Sequence, residues 1–210
     1  MKIQHIRRPS GFTLVELLVV IVIIAVLASA GLAVGNRVML SAKNVKALSI
    51  ATGIEQAVNN FVRDTGTYPK NGIESDEKIG TNDKSQNFSQ EFLDTLLALE
   101  KSESPLNAKG IKYLDIPEGK ANKDGLIYEQ GGGESANAQV RGIYDPWGGP
   151  FLVQFDGDYD DQITVKTGVD RNSKVVRGRK VVVWSNGPNN TTDQSNSKSG
   201  KPTDAVKTWK

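Results

Sequence analysis

Apolar and polar positions divide the chain into stretches with different periods. From Phe12 to Val34 lie 23 residues with one charged side chain, the carboxylate of Glu16. A helix of that length spans about 34 Å at 1.5 Å per residue, enough for the hydrocarbon core of a bilayer. From Gly35 the apolar residues thin to one stripe, Leu40, Ala47, Ala51, Ile54, Val58 and Phe61. Their recurrence at three, four and seven positions predicts that the same helix continues as an amphipathic one. Asp64-Thr65-Gly66-Thr67-Tyr68-Pro69 ends it, with Gly placed for a left-handed cap and Pro a few residues on. The whole helix, from Phe12 to about Asp64, would be about 80 Å long.

Beyond the helix the pattern becomes short and broken. Asn71 to Asn87 is polar with charges of both signs and reads as an exposed loop. Ser89 to Leu99 places Phe92, Leu93, Leu96, Leu97 and Leu99 at helical spacing behind Ser89 as N-cap. Ile111 to Ile116 and Leu126 to Tyr128 are short extended candidates. Gly131-Gly132-Gly133 is a connection and lacks the Lys-Ser/Thr ending of a phosphate loop. Asp145-Pro146-Trp147-Gly148-Gly149-Pro150 is a turn leading into Phe151 to Phe155, with further strands at Ile163 to Val165 and Lys180 to Trp184. Three strands in sequence predict an antiparallel meander, whose apolar face the long helix would cover. The expectation is therefore α+β: a long N-terminal helix, transmembrane over 12–34 and amphipathic over 35–65, packed on a small antiparallel sheet within a globular region over 66–210.

Composition narrows the chemistry. The 210 residues contain no cysteine and a single histidine, His5, ahead of the apolar run. A mature chain lacking that leader would carry neither thiol nor imidazole, which removes the commonest nucleophilic, acid/base and zinc chemistries, so an enzyme is not expected. The formal charge of +2 becomes about −1 without Lys2, Arg7 and Arg8, so no nucleic-acid footprint is expected. The charges flanking the apolar run balance, Lys2, Arg7 and Arg8 before it against Arg37, Lys43 and Lys46 after it, and leave topology undecided.

Two fates are open to the apolar run. An ordinary secretory signal would be cut at Ala28-Ser29-Ala30. Against that, Glu16 sits inside the apolar centre and the helical pattern continues past Ala30 without a break. An intramembrane carboxylate is costly and calls for a partner, although a Glu near a helix end can also reach the interface or stay protonated.

Gly11-Phe12-Thr13-Leu14-Val15-Glu16, after a short basic leader and before about twenty apolar residues, resembles the class III signal of type IV pilins and type II secretion pseudopilins. The resemblance implies a leader over 1–11, cleavage between Gly11 and Phe12 by a prepilin peptidase, and methylation of the new amine of Phe12. It implies too that Glu16 pairs with that amine on a neighbouring subunit as a filament grows. Ala33 and Ala25 stand where the family often has a helix-kinking Pro and a Gly. Asp-Pro-Trp-Gly at 145–148, Ser185 to Gly187, and Asp204 ahead of Trp209 resemble the G-type major pseudopilin, leaving about Asn71 to Arg141 specific to this lineage.

A pilin-like fold follows from that resemblance, with an inner-membrane anchor and a periplasmic domain. The implied partners are further copies, the peptidase, an inner-membrane assembly platform and minor pseudopilins. The function expected is a structural subunit of a type II secretion pseudopilus, the alternative being a type IV pilin for adhesion, motility or DNA uptake. G-type members bind calcium in the loop after the last strand, where this chain offers Asn189, Asp193 and Asp204, with Pro188-Asn189 replacing the usual Asp-Gly. A second calcium candidate is Asp156, Asp158 and Asp160, spaced like the start of an EF-hand loop but without Gly at the sixth position and with Thr167 at the twelfth. The plainer reading of that run is a hairpin turn whose carboxylates cap its own backbone.

Overall fold

The computed structural model describes residues 12–85, 87–130, 139–166, 173–189 and 205–209. The chain divides into two compact units, Met1–Ala42 and Lys43–Lys210. Helix α1, Leu14–Thr65, supplies the described part of the first and the opening helix of the second.

In the first unit the large apolar side chains from Leu14 to Leu27 are 45–80% exposed. Among the described residues no helix is long and apolar enough to cross a membrane. The apolar run expected to span continues through 30–34, whose side chains lie outside the described residues, so the transmembrane half of α1 stays an expectation. Leu40, placed by its spacing on the buried stripe, is 45% exposed.

In the second unit the stripe is core: Ala47, Ala51, Ile54, Val58 and Phe61 are buried, joined by Ile50, Ala57 and Val62. Gly66 closes α1 at φ +78°, its N–H bonded to Val62 O at 2.8 Å. Strand β1 is Lys78–Gly80, α2 is Gln90–Leu97, and a ribbon pairs β2, Gly125–Gln130, with β3, Gln139–Tyr144. Then follow β4, Phe151–Phe155, β5, Gln162–Val165, β6, Lys174–Arg177, β7, Val181–Ser185, and β8, Val206–Lys207.

The predicted meander is not what forms. The four-stranded sheet runs β1-β4-β7-β8, so β4 and β7 pair directly, and β5 pairs with β6 in a hairpin of its own. The fold class holds as α+β with antiparallel pairing, but the sheet is several sheets. The physical reason lies in β4 and β7, which are buried along their whole length. Phe151, Val153, Phe155, Val181 and Val183 face the core shared with α1 and α2. Their neighbours Leu152, Val182 and Trp184 face the other way, onto Ile163, Val165, Val176 and Trp209. A sheet apolar on both faces needs two covers, and the β5–β6 hairpin is the second.

The expected loop over 71–87 contains β1, with Ile79, Thr81 and Asn82 buried. Thr81 explains how polar residues sit inside: its Oγ1 donates to Ile143 O at 3.0 Å and accepts from Phe151 N at 3.0 Å, joining the ribbon to the sheet. Ile111 to Ile116 forms no strand; Tyr113 and Leu114 donate main-chain N–H groups to Leu96 O instead. Ser89 caps α2 as expected, accepting from Phe92 N at 3.3 Å. Gly131 to Gly133 lie outside the described residues.

Candidate functional site

The first turn of α1 arranges the residues singled out at the N-terminus. Phe12 is exposed and precedes the helix, and Gly11 lies outside the described residues. Glu16 Oε2 accepts from Thr13 N at 2.9 Å and from Thr13 Oγ1 at 2.8 Å, while Glu16 N donates to Thr13 Oγ1 at 3.2 Å. This is a capping box: two side chains satisfy main-chain donors that the first helical turn leaves without partners. Thr13 was the residue overlooked, although the Thr-x-x-Glu spacing ahead of an apolar run was there to be read. The box fixes the carboxylate at the positive end of the helix, four residues from the position where cleavage after Gly11 would create an amine.

The acidic stretch after β4 brings together a different trio from the one its spacing suggested. Asp76, Asp156 and Asp158 each place a carboxylate oxygen within 4.8 Å of the others. Asp160 is not among them; its Oδ1 accepts from Gln162 N at 2.8 Å. Asp156 is buried and accepts from Asp160 N at 3.1 Å and Asp161 N at 3.2 Å, so much of the run caps its own turn. Burial raises the Asp156 carboxyl above its ordinary value, the two main-chain bonds oppose this, and the charges of Asp160 and Asp158 add to it. Asp76 enters from the segment before β1: its Oδ2 accepts from Thr164 N at 3.0 Å, and its Oδ1 is buried without a partner among the described residues. A Cβ at Gly157 would collide with the carbonyl oxygen of Ser75, so only glycine lets the two segments approach this closely.

These donors are hard oxygens of the kind calcium takes, but three carboxylates fall short of its usual six to eight ligands, and all three already accept from main-chain N–H groups. Of the other calcium candidates, Asp193 and Asp204 lie outside the described residues, and Asn189 ends a single 3-10 turn, Gly187–Asn189. Just ahead of it, Asn186 has a buried Oδ1 without a partner among the described residues.

Asp145 gives the Asp-Pro-Trp-Gly turn a function inside the fold. Its Oδ1 accepts from Trp147 N at 2.9 Å and Gly149 N at 2.7 Å, and its Oδ2 from Ser185 Oγ at 2.5 Å. Ser185 Oγ accepts in turn from Gly187 N at 3.0 Å. The two motifs noted in sequence, the turn before β4 and the Ser-x-Gly after β7, are thus one buried hydrogen-bonded lock. Burial pushes the Asp145 carboxyl up, and the hydrogen bonds from Ser185, Gly149 and Trp147 hold it back.

Residues 6–32 match the prokaryotic N-terminal methylation motif. This is a type IV pilin-like N-terminus. The motif marks prepilins that a prepilin peptidase processes and that assemble into filaments. No curated protein and no solved structure is similar enough to this chain to count as a match. The match ends at residue 32.

Proposed function

We propose that this type IV pilin-like prepilin is the structural subunit of a type II secretion pseudopilus and has no catalytic activity of its own. Prepilin peptidase cuts it between Gly11 and Phe12 and methylates the Phe12 amine. Residues 12–34 anchor it in the bacterial inner membrane with the C-terminal part in the periplasm. Copies then join through their N-terminal helices, guided by the assembly platform and minor pseudopilins. The observation that carries this reading is the methylation motif over 6–32, with Glu16 at its centre.

Glu16 supplies the charge that the Phe12 amine of an adjacent copy meets. Opposite charges a few Å apart attract strongly in a low-dielectric bundle, and each offsets the desolvation of the other. The Asp-Pro-Trp-Gly turn, the Ser-x-Gly segment and the C-terminal Trp209 favour the G-type pseudopilin within this class. Calcium forms part of the proposal as a stabiliser of the globular part, read as a rise in its unfolding midpoint on adding the ion. An unchanged midpoint would leave the carboxylates to turn capping alone.

The test is expression with the secretion machinery in a deletion strain, followed by export assays and imaging. Restored export with filaments confined to the envelope supports the proposal. Long surface fibres made of this protein, with export unaffected, would assign it to a type IV pilus instead.

A further inference from the structure

The chain contains two Asn-Gly steps, Asn71-Gly72 and Asn186-Gly187, and the structure treats them differently. An asparagine followed by glycine is open to a self-reaction, because glycine adds no side chain to obstruct attack by its main-chain nitrogen on the neighbouring carboxamide. Whether the reaction proceeds in a folded protein depends on that nitrogen being free and its surroundings open.

At the first step both conditions hold. Asn71 and Gly72 are exposed in the turn between α1 and β1. The Gly72 N–H makes no hydrogen bond among the described residues, and a Cβ placed there would meet nothing within 4 Å. At the second step neither holds. Gly187 is buried, and its N–H donates to Ser185 Oγ at 3.0 Å, within the lock that Asp145 closes. Freeing that nitrogen means opening the lock.

We infer that Asn71 is a site of spontaneous deamidation and that Asn186 is protected by the fold. The Gly72 nitrogen, its proton taken by solvent hydroxide, bonds to Cγ of Asn71. The Cγ–Nδ2 bond breaks and ammonia leaves, giving a five-membered succinimide. Water opens that ring at either carbonyl, leaving aspartate or isoaspartate at position 71, so the net exchange is water in and ammonia out.

The change acts on a specific contact. Asn71 Nδ2 donates to Glu91 Oε1 at 2.7 Å and Asn71 N donates to the same oxygen at 3.2 Å, tying the turn to the first turn of α2. After deamidation a carboxylate stands where the donor stood, and two like charges face each other. The reaction therefore adds a negative charge and loosens the link between the turn and α2 as the protein ages.

The test is peptide mapping by mass spectrometry of the purified full-length chain in detergent, held in mildly alkaline buffer, with a parallel sample in denaturant. In the folded sample Asn71 converts at least about tenfold faster than Asn186, the protection of roughly one buried hydrogen bond, and in denaturant the two rates converge. Asn71→Gln abolishes the conversion in that peptide. Equal rates in the folded chain, faster conversion at Asn186, or an unmodified Asn71 would overturn the inference.

Discussion

Removing the carboxylate of Asp145 probes the lock that joins the turn before β4 to the end of β7. In Asp145→Ala three donors lose their acceptor: Trp147 N, Gly149 N and Ser185 Oγ. Gly149 and Ser185 are buried, so leaving each unmet costs about 1–3 kcal/mol, while the partly exposed Trp147 N–H counts for less, giving about 4 kcal/mol in all. Part of this is offset, because the variant no longer has to ionise a buried carboxyl, and the net loss comes to about 3 kcal/mol. Asp145→Asn keeps one acceptor oxygen but turns an NH2 group toward Ser185 Oγ, which already accepts from Gly187 N, and should cost about 1 kcal/mol.

The sign of the pH dependence follows from the raised pKa of Asp145. A carboxyl that is harder to ionise in the folded state contributes most below its ordinary value, and that contribution falls as pH rises through the folded value. The cost of Asp145→Asn is therefore larger in weak acid than at neutral pH. Urea unfolding of the full chain in detergent, followed by tryptophan emission, reads this directly, since Trp147, Trp184 and Trp209 all belong to the second unit. A loss below about 1 kcal/mol for Asp145→Ala, or an Asn cost that grows toward neutral pH, would refute the lock.

Substitutions at three further positions test other parts. Glu16→Gln retains an oxygen able to complete the capping box with Thr13 but removes the charge, whereas Glu16→Ala removes both. Both should fail to sediment as filaments if the charge pairs with a neighbour, and assembly by Glu16→Gln alone would show that helix capping is the requirement. Gly157→Ala should lower stability by about 1–3 kcal/mol or more in the same urea assay, because its Cβ collides with Ser75, and a neutral result would contradict the packing of 75–76 against 156–158. Ser89→Ala should cost about 1 kcal/mol by loss of the α2 cap, and an unchanged midpoint would show that packing alone holds that end.

Local signals were the legible ones. Gly66 and Ser89 terminate helices through contacts within four residues, and the stripe from Ala47 to Phe61 follows the helical period. Strand β1 was hidden because Ile79 is the one large apolar side chain in it, and the buried polar residues that follow, Thr81 and Asn82, find partners in Ile143 and Phe151, over 60 positions away. The meander was misjudged although Phe151 to Phe155 and Val181 to Trp184 are nearly unbroken apolar runs, the mark of a sheet covered on both faces. At the candidate site Glu16 stood out by its surroundings, while Asp76 did not, lying 80 positions before Asp156 and joined to it only by the fold.

The central proposal is that this chain is processed at its N-terminus to place Phe12 and Glu16 for filament assembly. Intact-mass and N-terminal peptide analysis of the protein purified from envelopes tests it most directly. The mature chain should begin with N-methylated Phe12, lacking residues 1–11 and retaining Glu16. A mature chain that begins after Ala30, having lost Glu16, would contradict it.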